Sequence, residues 1–312
     1  MNKLSRLDNL PFLRLRSPAS KLLGLAFVML TLAGMAAFAE KEDASDLSEI
    51  EVPRYERLEQ FPFRDGEKIF YNLRWSVFDV GEAVMEFSGP VEWEGQRCWQ
   101  VSLTARTNGF ADKIFKVRDY NVVWVDEDFT HPVHYIKNQK EGHTDREVVV
   151  RFDWEKNTAQ YTNRADAREP IEVLPGSWDP LGITYHVRNL KTDGLTHFSI
   201  PSTDGKKCTM TEIDISGPLD VKVPAGKYEV ILLEPDTKDL GGVFSKSEKA
   251  GIKIWFSNDG RHIPVKMASK VVVGSFVAEM TRIEGPGAEA YSPKEDEDSA
   301  EGDSPKPRRR GR

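Results

Sequence analysis

The chain of 312 residues carries 43 Lys and Arg against 50 Asp and Glu, a net charge of −7, and 39% of it is hydrophobic. Residues 1–39 hold five of the basic residues and one acid, so the remainder carries 38 against 49, a net charge of −11. An acidic chain repels phosphate backbones, which excludes nucleic-acid binding driven by clustered cations.

The first element is KLLGLAFVMLTLAGMAAFA, Lys21 to Ala39. A basic residue leads into an apolar stretch that closes on Ala37-Phe38-Ala39, the small-residue pattern cut by a signal peptidase. The apolar core is shorter than the roughly 20 residues of a spanning helix. No adjacent arginine pair precedes it and no cysteine follows it, so the reading is a signal peptide at 1–39 on the general secretory route, cleaved after Ala39. The expected location is the periplasm, with no transmembrane span after cleavage. In that oxidising space Cys98 and Cys208 are either one disulfide, stabilising by roughly 4 to 5 kcal/mol in the chain-entropy model, or two buried thiols on different strands.

Composition divides the rest. Residues 40–60 are charged with few large apolar side chains and read as a flexible leader. Residues 61–284 read as a single β-rich domain, and residues 285–312, nearly devoid of apolar residues, as a disordered charged tail. Within the body the dominant period is two. Ile69, Tyr71, Leu73, Trp75 and Val77 share one face of a strand, a turn is expected at Asp79-Val80-Gly81, and Ala83, Met85 and Phe87 alternate after it. Turns at Glu94-Gly95-Gln96, Glu141-Gly142, Pro224-Ala225-Gly226, Asn258-Asp259-Gly260 and Gly274 punctuate further hairpins. Arg74, Arg118, Asp119, Arg146 and Arg151 are expected on strand faces turned to solvent. The segment Ser177–Leu190 departs from this period: Asp179 suits a helix cap, Pro180 its first position, and Leu181, Tyr185 and Leu190 an apolar stripe over about three turns. The fold class expected is mainly β, a strongly curved antiparallel sheet (open barrel or sandwich-like) with one short helix that plugs an end or covers the open face.

Several short motifs then occur in a telling order: Phe63-Arg64-Asp65-Gly66-Glu67-Lys68-Ile69-Phe70-Tyr71, Val80-Gly81-Glu82-Ala83, Lys116-Val117-Arg118-Asp119, Arg151-Phe152-Asp153-Trp154, Asp179-Pro180-Leu181, Ile254-Trp255-Phe256-Ser257 and Arg261-His262-Ile263-Pro264-Val265. With this order the chain resembles the bacterial exported family of unknown function catalogued as DUF3108. The resemblance implies an exported, β-rich protein and transfers no catalytic residue.

No residues spell a reaction. There is no Gly-x-Ser-x-Gly elbow. His131 and His134, three apart, tend to opposite faces of a strand, and Asp126-Glu127-Asp128 lacks the Gly and distal Glu of a calcium loop. No catalytic residue, metal site or cofactor is therefore expected. Aromatic content on a curved sheet stands above background, and Tyr71, Trp75, Tyr120, Trp124, Tyr135 and Trp154 are the expected binding residues. The leading expectation is a non-enzymatic envelope protein that binds an apolar or amphipathic, lipid-like ligand on the concave face of its sheet. The alternatives are a scaffold for envelope proteins or glycan, and an envelope hydrolase using paired carboxylates.

Overall fold

The structure is a computed structural model that describes residues 47–236, 251–270 and 275–288. The expected signal peptide, the turn at Gly274 and the tail beyond residue 288 lie outside the described residues. The period-two runs form strands joined by tight turns. A first meander comprises β1 (Glu67–Trp75), β2 (Phe78–Trp93), β3 (Gln96–Thr107), β4 (Arg118–Asp126), β5 (Pro132–Glu141), β6 (Thr144–Asp153) and β7 (Thr158–Asn163), and the short β8 (Asp166–Ala167) and β9 (Ile171–Glu172) both pair with β7. After one helix, α1 (Gly182–Arg188), a second meander runs through β10 (His197–Thr203), β11 (Cys208–Val223), β12 (Gly226–Pro235), β13 (Gly251–Ser257), β14 (Pro264–Lys270) and β15 (Ser275–Glu284).

The two meanders join where the ends of the domain meet. β15 pairs antiparallel with β1, Leu73 opposite Ala278, so all 15 described strands form one antiparallel sheet with β10 at one edge and β8 at the other. Among the described residues no strand ladder closes the edges into a barrel. The chain midpoint bridges them instead: the Val173 N–H donates to the Asn157 carbonyl beside β7 (2.9 Å), and the Trp178 N–H donates to the Pro201 carbonyl within β10 (2.9 Å). Two strands of 16 residues, β2 and β11, each carry Ser-Gly-Pro at a shift in register. Gly89 and Gly217 there adopt φ of +133° and +134°, which side chains disfavour, and such irregularities bend a strand and increase its twist.

Inside the curve sits α1. Its Ile183, Thr184, Tyr185, Val187 and Arg188 are all buried, so the helix is enclosed against the sheet. Asp179 starts it as expected, its Oδ1 accepting from the Leu181 and Gly182 N–H groups at 2.9 and 3.0 Å. The helix has seven residues, fewer than the three turns expected, because Leu190 leaves it to bridge Arg57. Arg188 Nη1 and Nη2 meet Glu67 Oε1 and Oε2 at 2.5 and 3.0 Å, with both side chains fully buried. The guanidinium also lies over the rings of Phe63 and Tyr185, 5.2 and 4.7 Å from their centroids. This pair ties the helix to β1.

Two further expectations change, and one open alternative closes. The first turn falls at Ser76-Val77, not at Asp79–Gly81, which lies inside β2; Ser76 takes φ of 54° and Val77 faces solvent instead of the core. The hydrophobic alternation thus runs one residue past the strand. The described part of the leader makes specific contacts with the body: the Leu58 N–H donates to the Asn189 carbonyl, the Tyr55 hydroxyl accepts from the Ser199 N–H, and Leu47, Ile50 and Val52 pack on the core. Cys98 and Cys208 are free and buried, and they do not form the disulfide that was one of the two readings. Cys98 belongs to a small cluster with Val122 and Trp124. Cys208 belongs to the main core, where its sulfur meets the Leu174 N–H and the Ser177 hydroxyl.

Candidate functional site

Strands β4 and β5 carry the unusual chemistry of the interior. Along β4, Val123 and Val125 belong to the main core, and strand alternation places Asp119 and Asn121 on the same inward face. Both are buried, Asn121 fully. Along β5 the same face carries Tyr135, Lys137, Gln139 and Glu141. Asn121 stands opposite Lys137, Val123 opposite Tyr135, and Val117 bridges Glu141. The result is a polar stripe on the inner surface, roughly 20 Å long at the usual rise per strand residue. The turn between β10 and β11 comes in from the other side: Gly205 packs against Val150 and Tyr161 on β6 and β7, and Asp204 beside it is buried.

Several polar atoms of this interior have no hydrogen-bond partner in the protein. They are both amide atoms of Asn121, the Tyr135 hydroxyl, Glu141 Oε1, Asp179 Oδ2 and the Thr184 hydroxyl. Each such group costs about 1–3 kcal/mol when left unmet, and native interiors hold few of them. Burial sets the protonation of the stripe. It raises Glu141 to about 9, helped by the Asp119 charge and the hydrogen bond the two carboxyls share. Burial also raises Asp119, against the hydrogen bonds from Glu141 and the Lys140 N–H, and raises Asp179 to about 7. Burial lowers Lys137, partly offset by Glu141 and Asp119. At neutral pH, Glu141 is a protonated donor to Asp119, and the orphan atoms present mostly uncharged donors and acceptors.

The carboxyl pair does not have the geometry of a glycosidase. Two carboxyls that share one hydrogen bond stand closer than the roughly 5 Å that the tightest glycosidase arrangement needs. Among the described residues no cluster of His, Cys, Asp or Glu is placed to hold a metal. His131 lies against the Trp154 ring (5.0 Å between centroids), whereas His134 stacks on Trp93 (4.8 Å). Asp126 closes its own turn by accepting from the Thr130 and His131 N–H groups.

The six aromatic residues expected to bind do not converge. Tyr71 and Tyr135 point inward, and the Tyr71 hydroxyl donates to the Pro264 carbonyl (2.7 Å). Trp75 is half-buried against Phe276 at the end of β1. Tyr120 and Trp124 occupy the opposite face of β4: Tyr120 is exposed, and Trp124 stacks on Trp93 at 4.0 Å. Trp154 is half-buried, its indole N–H donating to the Pro132 carbonyl. Asp119, expected in solvent, is buried. Alternation along Arg118–Asp126 is compatible with either face turned inward, since both carry apolar residues, and a shift of one residue exchanges the faces.

A groove of about 660 Å³ also runs along β1–β3 beside the β11–β12 turn. Its charges already have partners, Arg106 with Glu82 and Arg282 with Glu284, while Asn72 donates to Asp79. The unmet polar atoms lie instead in the interior.

The sequence matches the family described as "Protein of unknown function (DUF3108)" over residues 71–281. The chain belongs to the DUF3108 family. No curated protein matches it. Among solved structures, the DUF3108 chain is similar to a β-barrel-like protein of domain of unknown function DUF1849 from Brucella abortus, with 11% identity and a TM-score of 0.49 over 70% of this chain and 97% of that one. It is also similar to a protein described as exported, with a YmcC-like fold, from Bacteroides fragilis, with 11% identity and a TM-score of 0.27 over 72% of this chain and 98% of that one. Among the described residues of this DUF3108 protein no helix is long and apolar enough to cross a membrane.

Proposed function

We propose that this protein is a non-enzymatic, exported envelope protein that binds an amphipathic, lipid-like ligand on the concave inner face of its sheet. The observation that carries the reading is the row of buried, unpartnered polar atoms on Asn121, Tyr135 and Glu141 beside the apolar core. An apolar ligand alone would leave those atoms unmet, whereas a polar head on an apolar body meets them and keeps the rest of the contact apolar. The head is rich in hydroxyl or amide groups, because Asn121, Tyr135 and Glu141 offer uncharged donors and acceptors and the Asp119 and Asp204 carboxyls already stand near Lys137. The leader pattern at Lys21–Ala39 supports a periplasmic location.

The test is extraction with organic solvent of protein purified gently from its own envelope, followed by mass spectrometry of the extract. A defined amphipathic species present at near-stoichiometric amount is expected, and much less of it from Asn121→Leu. An extract without such a species, or one equally rich from the variant, overturns the reading.

A further inference from the structure

We propose that the rim formed by the β1–β2 turn and the 108–114 segment is a docking surface for an anionic lipid bilayer. Four apolar side chains project from it into solvent: Val77 is 75% exposed, Phe78 52%, Phe110 56% and Ile114 52%. They are adjacent. Val77 and Phe78 are consecutive, the rings of Phe78 and Phe110 lie 6.3 Å apart, and Phe110 and Ile114 flank the 3-10 turn Ala111–Lys113 with helical backbone at both ends. Among the described residues these four are most of the large apolar side chains that face solvent, and such clustering marks an interaction surface rather than the ordinary scatter of surface apolar groups.

The presentation is built. The Asn108 N–H donates to the Val80 carbonyl and its Nδ2 to the Asp79 carbonyl, while its Oδ1 accepts from the Phe110 and Ala111 N–H groups. These bonds fix the segment against the start of β2 and set Phe110 beside Phe78.

Charge selects the occupant. The acids of the rim are paired, Asp112 with Arg118 at 2.6 Å and Asp79 with Arg74 at 3.7 Å. Lys113 and Lys116, next to the apolar side chains, are both exposed and among the described residues form no close ion pair, although the charge of Lys116 is felt at Asp112. Exposed apolar side chains with two exposed lysines beside them fit the boundary between acyl chains and anionic headgroups. A second copy of this chain seated on the same patch fits less well, because a two-fold contact would set Lys113 and Lys116 against the same two cations of its partner. The rim stands on its own exposure and charge and does not depend on a ligand in the interior. It does lie beside the Glu141 end of the polar stripe, since Val117 bridges Glu141 and the Lys116 carbonyl accepts from the Gly142 N–H.

The experiment is flotation of the mature chain with vesicles of equal parts phosphatidylcholine and phosphatidylglycerol, and with phosphatidylcholine alone. Wild type is expected to float with the mixed vesicles. The double variant Phe78→Ser/Phe110→Ser should bind roughly a hundredfold more weakly, with an unchanged melting temperature because both side chains are exposed. Lys113→Gln/Lys116→Gln should lose most of the preference for phosphatidylglycerol and most of the sensitivity to salt. All forms share the basic end of the chain at Arg308–Arg312, so the comparison isolates the rim. Wild type that stays with the soluble fraction, or a double variant that floats as well as wild type, overturns the proposal. So does dimerisation of wild type, abolished by the phenylalanine variants, with no vesicle binding.

Discussion

At the scale of single residues, Glu67 and Arg188 hold the buried helix against the first strand through two parallel hydrogen bonds in a region that water does not reach. Removing one partner leaves an uncompensated buried charge, whereas replacing both with apolar groups removes the desolvation cost along with the attraction. Arg188→Met is therefore expected to cost about 3–5 kcal/mol in denaturant unfolding, and Glu67→Leu/Arg188→Met to recover most of that loss. A single variant within about 1 kcal/mol of wild type would contradict this account. Glu141 gives a pH signature. Its folded pKa of about 9 lies above the ordinary glutamate value of 4.5, so its stabilising contribution is fully present below about pH 4.5 and is lost as pH rises through about 9. Glu141→Gln keeps a donor toward Asp119 and removes the titration. Thermal unfolding should show wild type losing ground to the variant between about pH 5 and about pH 9, and a difference that stays constant with pH would show that Glu141 does not titrate in this window. Little of this was legible in the sequence. Asp119 and Asn121 alternate with Tyr120, Val122 and Trp124, and the hydrophobic pattern does not choose a face, because Val123 and Val125 enter the main core while Val122 and Trp124 pack into the small cluster with Cys98 and Trp93.

At the scale of elements, local chemistry was the better guide. Asp179 announces the helix start, and Glu94-Gly95, Gly142 and Pro224-Ala225 fall in the turns where the sequence places them. The failures come at ends set by tertiary contact: Val77 continues the alternation but lies past the strand, and Leu190 continues the helical stripe but bridges Arg57. Packing overrides propensity again at Gly182. Alanine is the better helix former by about 1 kcal/mol, yet a Cβ at this position would clash with Asp179 Oδ2 and touch the Trp178 ring. Gly182→Ala is thus expected to destabilise the protein by about 1–3 kcal/mol through overpacking. A higher melting temperature for this variant would show that the helix is less tightly enclosed than its burial indicates.

At the scale of the whole molecule, the meanders follow from short turns between alternating runs, which the sequence shows plainly. The pairing of β15 with β1 does not. It joins residues more than 200 positions apart, and no local signal encodes which two strands close such a gap. That pairing curves the sheet around α1 and brings the polar stripe of β4 and β5 face to face with the β10–β11 turn. The central claim is that this stripe meets the polar head of a bound amphipathic molecule. Native mass spectrometry of the mature protein taken gently from its own envelope, with denaturing spectra of the same sample, tests it most directly. The account predicts an added mass that disappears on denaturation and is greatly reduced in Asn121→Leu/Tyr135→Phe, while the polypeptide mass matches two free thiols. The bare polypeptide mass in the native spectrum, or an added mass that the double variant retains in full, would contradict it.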